Sequence, residues 1–157
     1  MGPVSDRARI TAAVGLLGLV TAVVGMFLPW LRSGAVLRDS FEVVGVIETL
    51  GFLRGDALEW LLYAWYALVP VITLSIAAYA LGARRVGATF ALLATIILGT
   101  IAGGARVEAG DGGDGAVVIT ATGPTVSLIG AALALAAALV TLIGERGRTR
   151  ENAGGER

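Results

Sequence analysis

The side chains best suited to acid–base chemistry lie together in one stretch between two long apolar runs. The carboxylates of this stretch are Asp39, Glu42, Glu48, Asp56 and Glu59. Two carboxylates can serve as a general acid and a general base when their surroundings separate the two pKa values. No residue pattern in this stretch predicts the burial that such a separation needs, so the acidic groups are typical of a solvated surface. We identify no catalytic residue among them.

Residue types that carry much of side-chain chemistry are absent. The chain of 157 residues contains no Cys and no His, and all 12 of its basic residues are Arg. Their absence removes thiol nucleophiles and thiolate metal ligands, the commonest general base, and Schiff-base chemistry. The segment Asp111–Asp114 lacks the ligand spacing of a calcium loop. The sequence therefore predicts a protein that is not an enzyme and that binds no cofactor or metal.

The arginine and tryptophan residues after the first apolar run indicate binding of another kind. Arg32 and Arg38 follow Trp30 closely in the sequence. A guanidinium group can bind a phosphate or a carboxylate through two parallel hydrogen bonds, and an indole ring prefers the headgroup level of a membrane. Trp30, Arg32 and Arg38 are therefore candidates for contact with a lipid headgroup or with a partner protein.

The elements that must position these groups are apolar enough to cross a bilayer. Hydrophobic residues make up 56% of the chain and charged residues 15%, whereas a soluble domain has about 45–50% and about 25%. Four segments reach the roughly 20 apolar residues that cross a hydrocarbon core: 10–28, 60–82, 86–105 and 125–143. The predicted fold is an all-α integral membrane protein, with residues 1–157 forming a single transmembrane domain built as a four-helix bundle.

The distribution of basic residues predicts the orientation of the bundle. The termini and the turn between the second and third spans hold eight arginines, and the other two loops hold four. Cytoplasmic loops carry the excess of basic residues, so both termini are predicted to be cytoplasmic, in a multi-pass protein of the inner or plasma membrane. Trp30 and the aromatic residues of 60–66 fall at the predicted outer ends, where aromatic rings are enriched. The polar tail 146–157 predicts disorder.

The long first outer loop is predicted to be structured. Residues 40–53 repeat apolar side chains at helical spacing, so we expect a short amphipathic helix, capped by Ser40, on the membrane surface or over the bundle mouth. Residues 116–122 have strand character, and residues 34–38 are candidates to pair with them in a small extracellular β-sheet. Gly123-Pro124 predicts a turn before the fourth span.

Small side chains recur at every fourth residue of the third span. This ridge consists of Gly87, Ala91, Thr95, Gly99 and Gly103. Helices in lipid associate by close backbone approach, which small residues permit. The ridge can pack inside the chain's own bundle, where similar small residues make the fourth span a natural partner. It can also form a docking face for another subunit.

Two further features of the spans bear on the class of protein. Pro70 removes a hydrogen bond near the middle of the second span, so we expect a kink that shapes the packing or lines a cavity. No acidic or basic residue lies inside the four spans. Ionisable groups in the membrane mark proton relays and ion paths, so the sequence disfavours a proton-coupled transporter or an ion channel.

Two short stretches resemble a pattern in uncharacterised small four-span membrane proteins of actinobacteria. They are Pro29-Trp30-Leu31-Arg32-Ser33-Gly34 and Arg38-Asp39-Ser40-Phe41. Some small membrane proteins of that group are accessory subunits of Mce-type lipid importers, and the resemblance implies a similar role. The layout is also similar to claudins in topology only, because the paired outer-loop cysteines and the W-x-x-x-L-W motif of claudins are missing.

The sequence favours a non-enzymatic accessory or structural subunit of a larger membrane complex, packing through small-residue helix faces. Its expected partners are membrane lipids and other membrane protein subunits, and no nucleic acid. The alternative is a protein of the cell envelope that binds or transports a lipid or small molecule. In that case Pro70, the aromatic residues of 60–66 and Arg32 or Arg38 are the expected contacts.

Overall fold

A computed structural model describes residues 6–50, 59–110 and 117–154. Over these residues the chain forms long helices joined at one end by a small sheet and a short helix. The elements in chain order are α1 (Asp6–Phe27), β1 (Leu31–Ser33), β2 (Val36–Arg38), α2 (Ser40–Leu50), α3 (Glu59–Ala80), α4 (Arg84–Gly110), β3 (Val117–Ile119) and α5 (Thr122–Gly154).

Four helices are long and apolar enough to cross a membrane. The candidate spans are Ala8–Phe27, Tyr63–Ala80, Arg84–Ala109 and Thr122–Gly144. A helix satisfies its backbone hydrogen bonds within one segment, which a chain in hydrocarbon requires. The four apolar helices predicted from the sequence are therefore confirmed, and they suggest a multi-pass membrane protein. Helix α3 continues through Pro70, whose side chain is exposed, and the predicted kink stays a prediction.

Many large apolar side chains lie on the outside of the bundle, and much of its interior is built from small ones. Leu17 is 62% exposed and Val140 is 58% exposed, whereas Ala22 and Ala138 are fully buried. Such an exterior would be unfavourable in water, but lipid tails are as apolar as leucine, and helices in lipid pack through small residues. The arrangement is therefore the one expected of helices surrounded by lipid.

Helix α5 lies between α1 and α4, and its contact with α1 is backbone to backbone. A Cβ atom added to Gly130 would lie 2.7 Å from the carbonyl oxygen of Gly18, and one added to Gly18 would lie 2.9 Å from that of Gly130. Ser127 Oγ also donates to the carbonyl oxygen of Ala22 at 3.3 Å. The sequence pairs the fourth span with the third. The structure keeps that pairing and adds the closer one with α1.

Helices α3 and α4 form the expected tight hairpin. The amide of Ala83 donates to Ala78 O at 2.9 Å and the amide of Gly82 to Tyr79 O at 3.1 Å, which is the Schellman pattern that ends helices. Gly82 has φ of 80°, a conformation that glycine adopts without steric cost. Helix α3 packs on α4 and has few contacts with α1, so α1 and α3 flank the loosest side of the bundle.

The three strands form one antiparallel sheet at the end of the bundle where α1 ends and α3 begins. Its order is β2-β1-β3, and Gly34, with φ of 59°, lies in the β1–β2 turn. The predicted sheet is present, but its predicted pairing is wrong. The stretch 34–38 pairs with β1, and it is β1 that pairs with β3. The sheet and α2 together are called the cap below, and this end of the bundle is called the cap end.

Helix α2 confirms the predicted short helix over Ser40–Leu50, and residues 51–53 of the prediction lie outside the described residues. Its cap is Asp39, not Ser40 as predicted. Asp39 Oδ1 accepts hydrogen bonds from the amides of Phe41 and Glu42, both at 2.9 Å, and Glu42 Oε2 accepts one from the Asp39 amide at 3.2 Å. This reciprocal pattern is a capping box.

Helix α5 is longer at both ends than the sequence predicts. Gly123 and Pro124 lie in its first turn and do not form a separate turn before it. Proline fits there because amides of the first turn have no partner within the helix. At the other end the helix continues to Gly154, which differs from the disorder expected from residue 146. Extending an existing helix costs far less than nucleating one.

Candidate ligand cavity beneath the cap

Trp30 fastens the cap to the bundle. Its amide donates to the carbonyl oxygen of Arg38 at 2.8 Å, and its own carbonyl oxygen accepts from the amide of Thr120 at 2.9 Å. Its indole Nε1 donates to the carbonyl oxygen of Gly25 at 2.9 Å, a group in the last turn of α1 that also accepts from the amide of Leu28 at 3.3 Å. Trp30 is only 7% exposed, and these bonds make it a structural centre of the cap. Its predicted contact with lipid or protein stays a prediction.

The carbonyl oxygen of Pro29 joins the two loops of the cap end. It accepts hydrogen bonds from Thr120 Oγ1 at 2.6 Å and from the amide of Gly123 at 3.0 Å. A Cβ atom at Gly123 would collide with the ring of Trp30, so glycine is needed where α5 begins. These bonds hold the segment before α5 against the segment after α1.

Ser40 attaches helix α2 to the bundle. Its hydroxyl donates to the carbonyl oxygen of Met26 at 2.7 Å, and the side chain is only 2% exposed. Met26 lies in the last turn of α1, where carbonyl groups lack an amide partner within the helix. Ser40 therefore fixes the start of α2 directly over the end of α1, and α2 lies across the bundle mouth.

An apolar cavity lies between the cap and the ends of the helices. Its volume is about 260 Å³. The described part of its wall consists of Trp30 and of residues from β1, α2, α3, α4 and β3, and almost all of it is hydrocarbon. The lining residues are Trp30, Leu31, Ser40, Val43, Val44, Ile47, Trp65, Ile101, Ala105 and Ile119. A concave apolar pocket with few polar groups is the usual form of a ligand site.

Trp65, in this wall, carries a buried hydrogen-bond donor that is not used by any described residue. Its side chain is 3% exposed, and its ring packs edge-on against Trp30 with 5.3 Å between the ring centres. Across the part of the chain that the structure describes, Trp65 Nε1 has no hydrogen-bond partner. Sequence reasoning placed Trp65 among the membrane-surface aromatics. A signal was available, because Trp65, Leu68, Ile72 and Ser75 form a buried stripe at helical spacing.

Three aromatic rings lie beside the loose contact between α1 and α3. Phe41 of α2 packs against Phe27 of α1 at 5.2 Å and against Tyr66 of α3 at 6.3 Å between ring centres. Phe27 and Tyr66 are 58% and 44% exposed. These three rings lie between the cap and the side of the bundle where α1 and α3 have few contacts. Phe27 and Tyr66 are accessible from outside.

The two predicted arginine contacts lie on different faces of the cap. Arg38 is paired with Leu31 across the β1–β2 hairpin, and Arg32 is paired with Leu37. Paired residues share a face of a sheet and successive residues alternate, so Arg32 and Arg38 point to opposite faces. Arg32 is exposed. Arg38 lines a shallow groove with Glu42, Gly45, Val46 and Thr49 on α2. The structure therefore does not bring the two guanidinium groups together in one clamp.

The small-residue ridge of α4 packs largely inside the chain. Gly87, Ala91 and Thr95 are buried, and a Cβ atom on Gly87 would lie 2.9 Å from the Tyr79 ring of α3. A Cβ atom on Gly99 would lie 3.8 Å from that of Ala131 of α5, an ordinary contact distance, and one on Gly103 would meet no atom of the described residues within 4 Å. Of the two predicted uses of the ridge, packing within the bundle is seen for Gly87 through Gly99, and only Gly103 is open to a partner.

Comparisons with protein-family models, with curated proteins and with solved structures find no match to this chain. The resemblances to actinobacterial four-span proteins and to claudins therefore stay predictions. Among the described residues no group of His, Cys, Asp or Glu side chains is placed to hold a metal ion.

Proposed function

We propose that this protein is a non-enzymatic, multi-pass protein of the cell membrane that binds a lipid in the cavity beneath its cap. The single observation that carries the proposal is the apolar cavity of about 260 Å³. Its wall can bury hydrocarbon at a gain of about 25 cal/mol per Å². The loose contact between α1 and α3 offers an entry from the surrounding lipid.

The position of the cavity supports a lipid as the occupant. Trp65 lies close to the first residue of the candidate span Tyr63–Ala80, and Ala105 lies close to the last residue of Arg84–Ala109. The cavity is thus at the end of the apolar segments, a position that in a bilayer would correspond to the boundary between hydrocarbon and headgroups and that supports a lipid as occupant. The excess of arginines at the opposite end and on the termini supports an outward-facing cap.

A cavity-filling substitution tests this proposal. Ala105 lines the cavity, whereas Ala136 of α5 is exposed on the bundle surface. We expect Ala105→Phe to fill the cavity and to reduce the lipid that stays bound through mild-detergent purification, measured by native mass spectrometry. The control Ala136→Phe adds the same side chain outside and should retain the lipid of the unmodified protein. Equal lipid content in all three proteins would contradict the proposal.

A second candidate function, an accessory subunit of a membrane complex, is favoured by one exposed part of α4. Gly103 and Gly104 have open space where a Cβ atom would be, so neither makes a close backbone contact with the rest of the described residues. A partner helix could approach the backbone there. We expect Gly104→Val to reduce co-purification of a partner from the native membrane without changing the fold. Purification of the unmodified protein free of other proteins would argue against this function.

A further inference from the structure

We propose that the bound lipid extends one hydrocarbon chain beyond the cavity, along a trough on the sheet that is formed by Ser33, Val36 and Val117. This inference rests on the proposed lipid-binding function and adds the number and the length of the chains that the site takes. It assigns Val36 and Val117 as residues that determine specificity for chain length.

The register of the strands places the trough next to the cavity. Leu31 of β1 and Ile119 of β3 both line the cavity, and they are paired across the sheet. Residues two apart on a strand share a face, and so do paired residues. Ser33 therefore lies on the face that carries Leu31, and so do its partners, Val36 on β2 and Val117 on β3. The apolar wall of the cavity thus continues onto the next row of the sheet.

This row has the width of one hydrocarbon chain. Ser33 lies on the middle strand of the order β2-β1-β3, with a valine on each side. Neighbouring strands are about 4.8 Å apart, so the two valines stand about 10 Å apart beside a smaller serine. The valine side chains narrow that space to a single chain. The charged residue of the same face, Arg38, belongs to the row of Leu31 and lines the separate groove on α2.

The two valines of the trough are exposed apolar side chains. Val36 is 53% exposed and Val117 is 57% exposed. Covering apolar surface is favourable, and a chain that leaves the cavity along this face would cover both valines and part of its own surface. The opposite face offers no such path, because its row has the exposed Arg32 between Leu37 and Val118.

The size of the cavity sets the chain length at which the trough comes into use. An apolar cavity of about 150 Å³ holds benzene, which has six carbon atoms. The 260 Å³ available here therefore holds roughly ten carbon atoms. The row of Ser33 lies two residues beyond the row of Leu31, which adds about 7 Å, the length of roughly five methylene groups. A decanoyl chain is thus accommodated by the cavity, whereas a tetradecanoyl chain also needs the trough.

The test compares these two chain lengths on one headgroup. Purified full-length protein is exchanged into micelles with equal amounts of decanoyl and tetradecanoyl lysophosphatidylglycerol, and native mass spectrometry measures the ratio of bound long-chain to bound short-chain lipid. Full burial of one methylene group strengthens binding about fourfold and burial on one side about twofold, so four extra methylenes contribute about 10- to 20-fold. We expect Val36→Asp to lower the ratio by about that factor relative to the unmodified protein. Partition into the micelles is common to all the proteins and cancels in this comparison.

Leu37→Asp is the matched control. Leu37 is the next residue of the same strand and is 55% exposed, but it lies on the opposite face, so this variant should keep the ratio. A second measurement uses the absence of cysteine from the chain. Val117→Cys carries a single thiol, and we expect bound tetradecanoyl lipid to slow its reaction with a maleimide and to leave the reaction of Leu37→Cys unchanged.

The outcomes separate the trough from the cavity. An unchanged ratio in Val36→Asp, an equal loss in Leu37→Asp, or no protection of Val117→Cys would each overturn the trough. If Ala105→Phe still expels both lipids in that case, the proposed function stands and only the trough fails. Retention of both lipids by Ala105→Phe would instead contradict the proposed function itself.

Discussion

Replacing Gly130 tests how the bundle is held together. A Cβ atom there would lie 2.7 Å from Gly18 O, whereas carbon–oxygen contacts normally begin near about 3.3 Å. Both groups belong to helix backbones and cannot rotate away, so Gly130→Val must separate α1 from α5 by at least about 0.6 Å. A gap of about 0.5–1 Å forfeits a quarter to a half of each dispersion contact.

The size of the effect follows from that separation. Roughly 40 atom pairs in the affected turns, at about 0.1–0.2 kcal/mol each, lose about 1–4 kcal/mol. Overpacking of a close-packed interior costs a similar amount, about 1–3 kcal/mol. We therefore expect Gly130→Val to lower the free energy of unfolding by about 2–3 kcal/mol.

The assay is reversible unfolding in mixed micelles titrated with a denaturing detergent, followed by tryptophan fluorescence. Gly144→Val is the matched control on the same helix, because a Cβ atom at Gly144 would meet no atom of the described residues within 4 Å. We expect this control to change the free energy of unfolding by less than about 0.5 kcal/mol. Equal effects of the two substitutions would refute the backbone contact between α1 and α5.

Three further substitutions test the cap and the hairpin. Ser40→Ala removes the donor to the buried Met26 O and should cost about 1–3 kcal/mol, measured by the same unfolding titration; a cost near zero would mean that α2 is not fastened there. Asp39→Ala removes the acceptor of two α2 amides and should cost about 1 kcal/mol, seen as faster hydrogen exchange of Phe41 and Glu42, while unchanged exchange would contradict the capping box. Gly82→Ala forces a side chain to φ of 80° and should cost about 1–2 kcal/mol, whereas Gly103→Ala, which meets open space, should not.

The hydrogen bonds that attach the cap to the bundle also fix the position of the elements above the cavity. Ser40, Trp30 and the carbonyl oxygen of Pro29 hold α2 and the sheet at fixed positions above the helix ends. The described elements above this space are therefore held in place by hydrogen bonds to the bundle. A site of this kind can keep its shape while a lipid enters between α1 and α3, which is the property that the proposed function requires.

Several features of the cap could not be read from the sequence. The strand β1 has three residues, Leu31–Ser33, too few to show the alternation that identifies a strand. Sequence patterns alone also could not separate Asp39 from Ser40, because both residue types cap helices. In the structure the Ser40 hydroxyl donates to Met26 O instead, so Asp39 is the residue that caps the helix. The sequence contains the small residues Gly18 and Gly25 in α1, but it does not show which helix packs against them.

The sequence by itself determined the four apolar helices and the short helix that follows Asp39. Both depend on local quantities: transfer of apolar side chains to lipid adds up residue by residue, and helical hydrogen bonds join near neighbours in the chain. Only the tertiary structure decided that α5 meets α1 through its glycines, that β1 joins the sheet, and that a cavity remains above Trp65. A cavity cannot be predicted from a local sequence pattern, because its shape is set by the relative positions of elements that are distant along the chain.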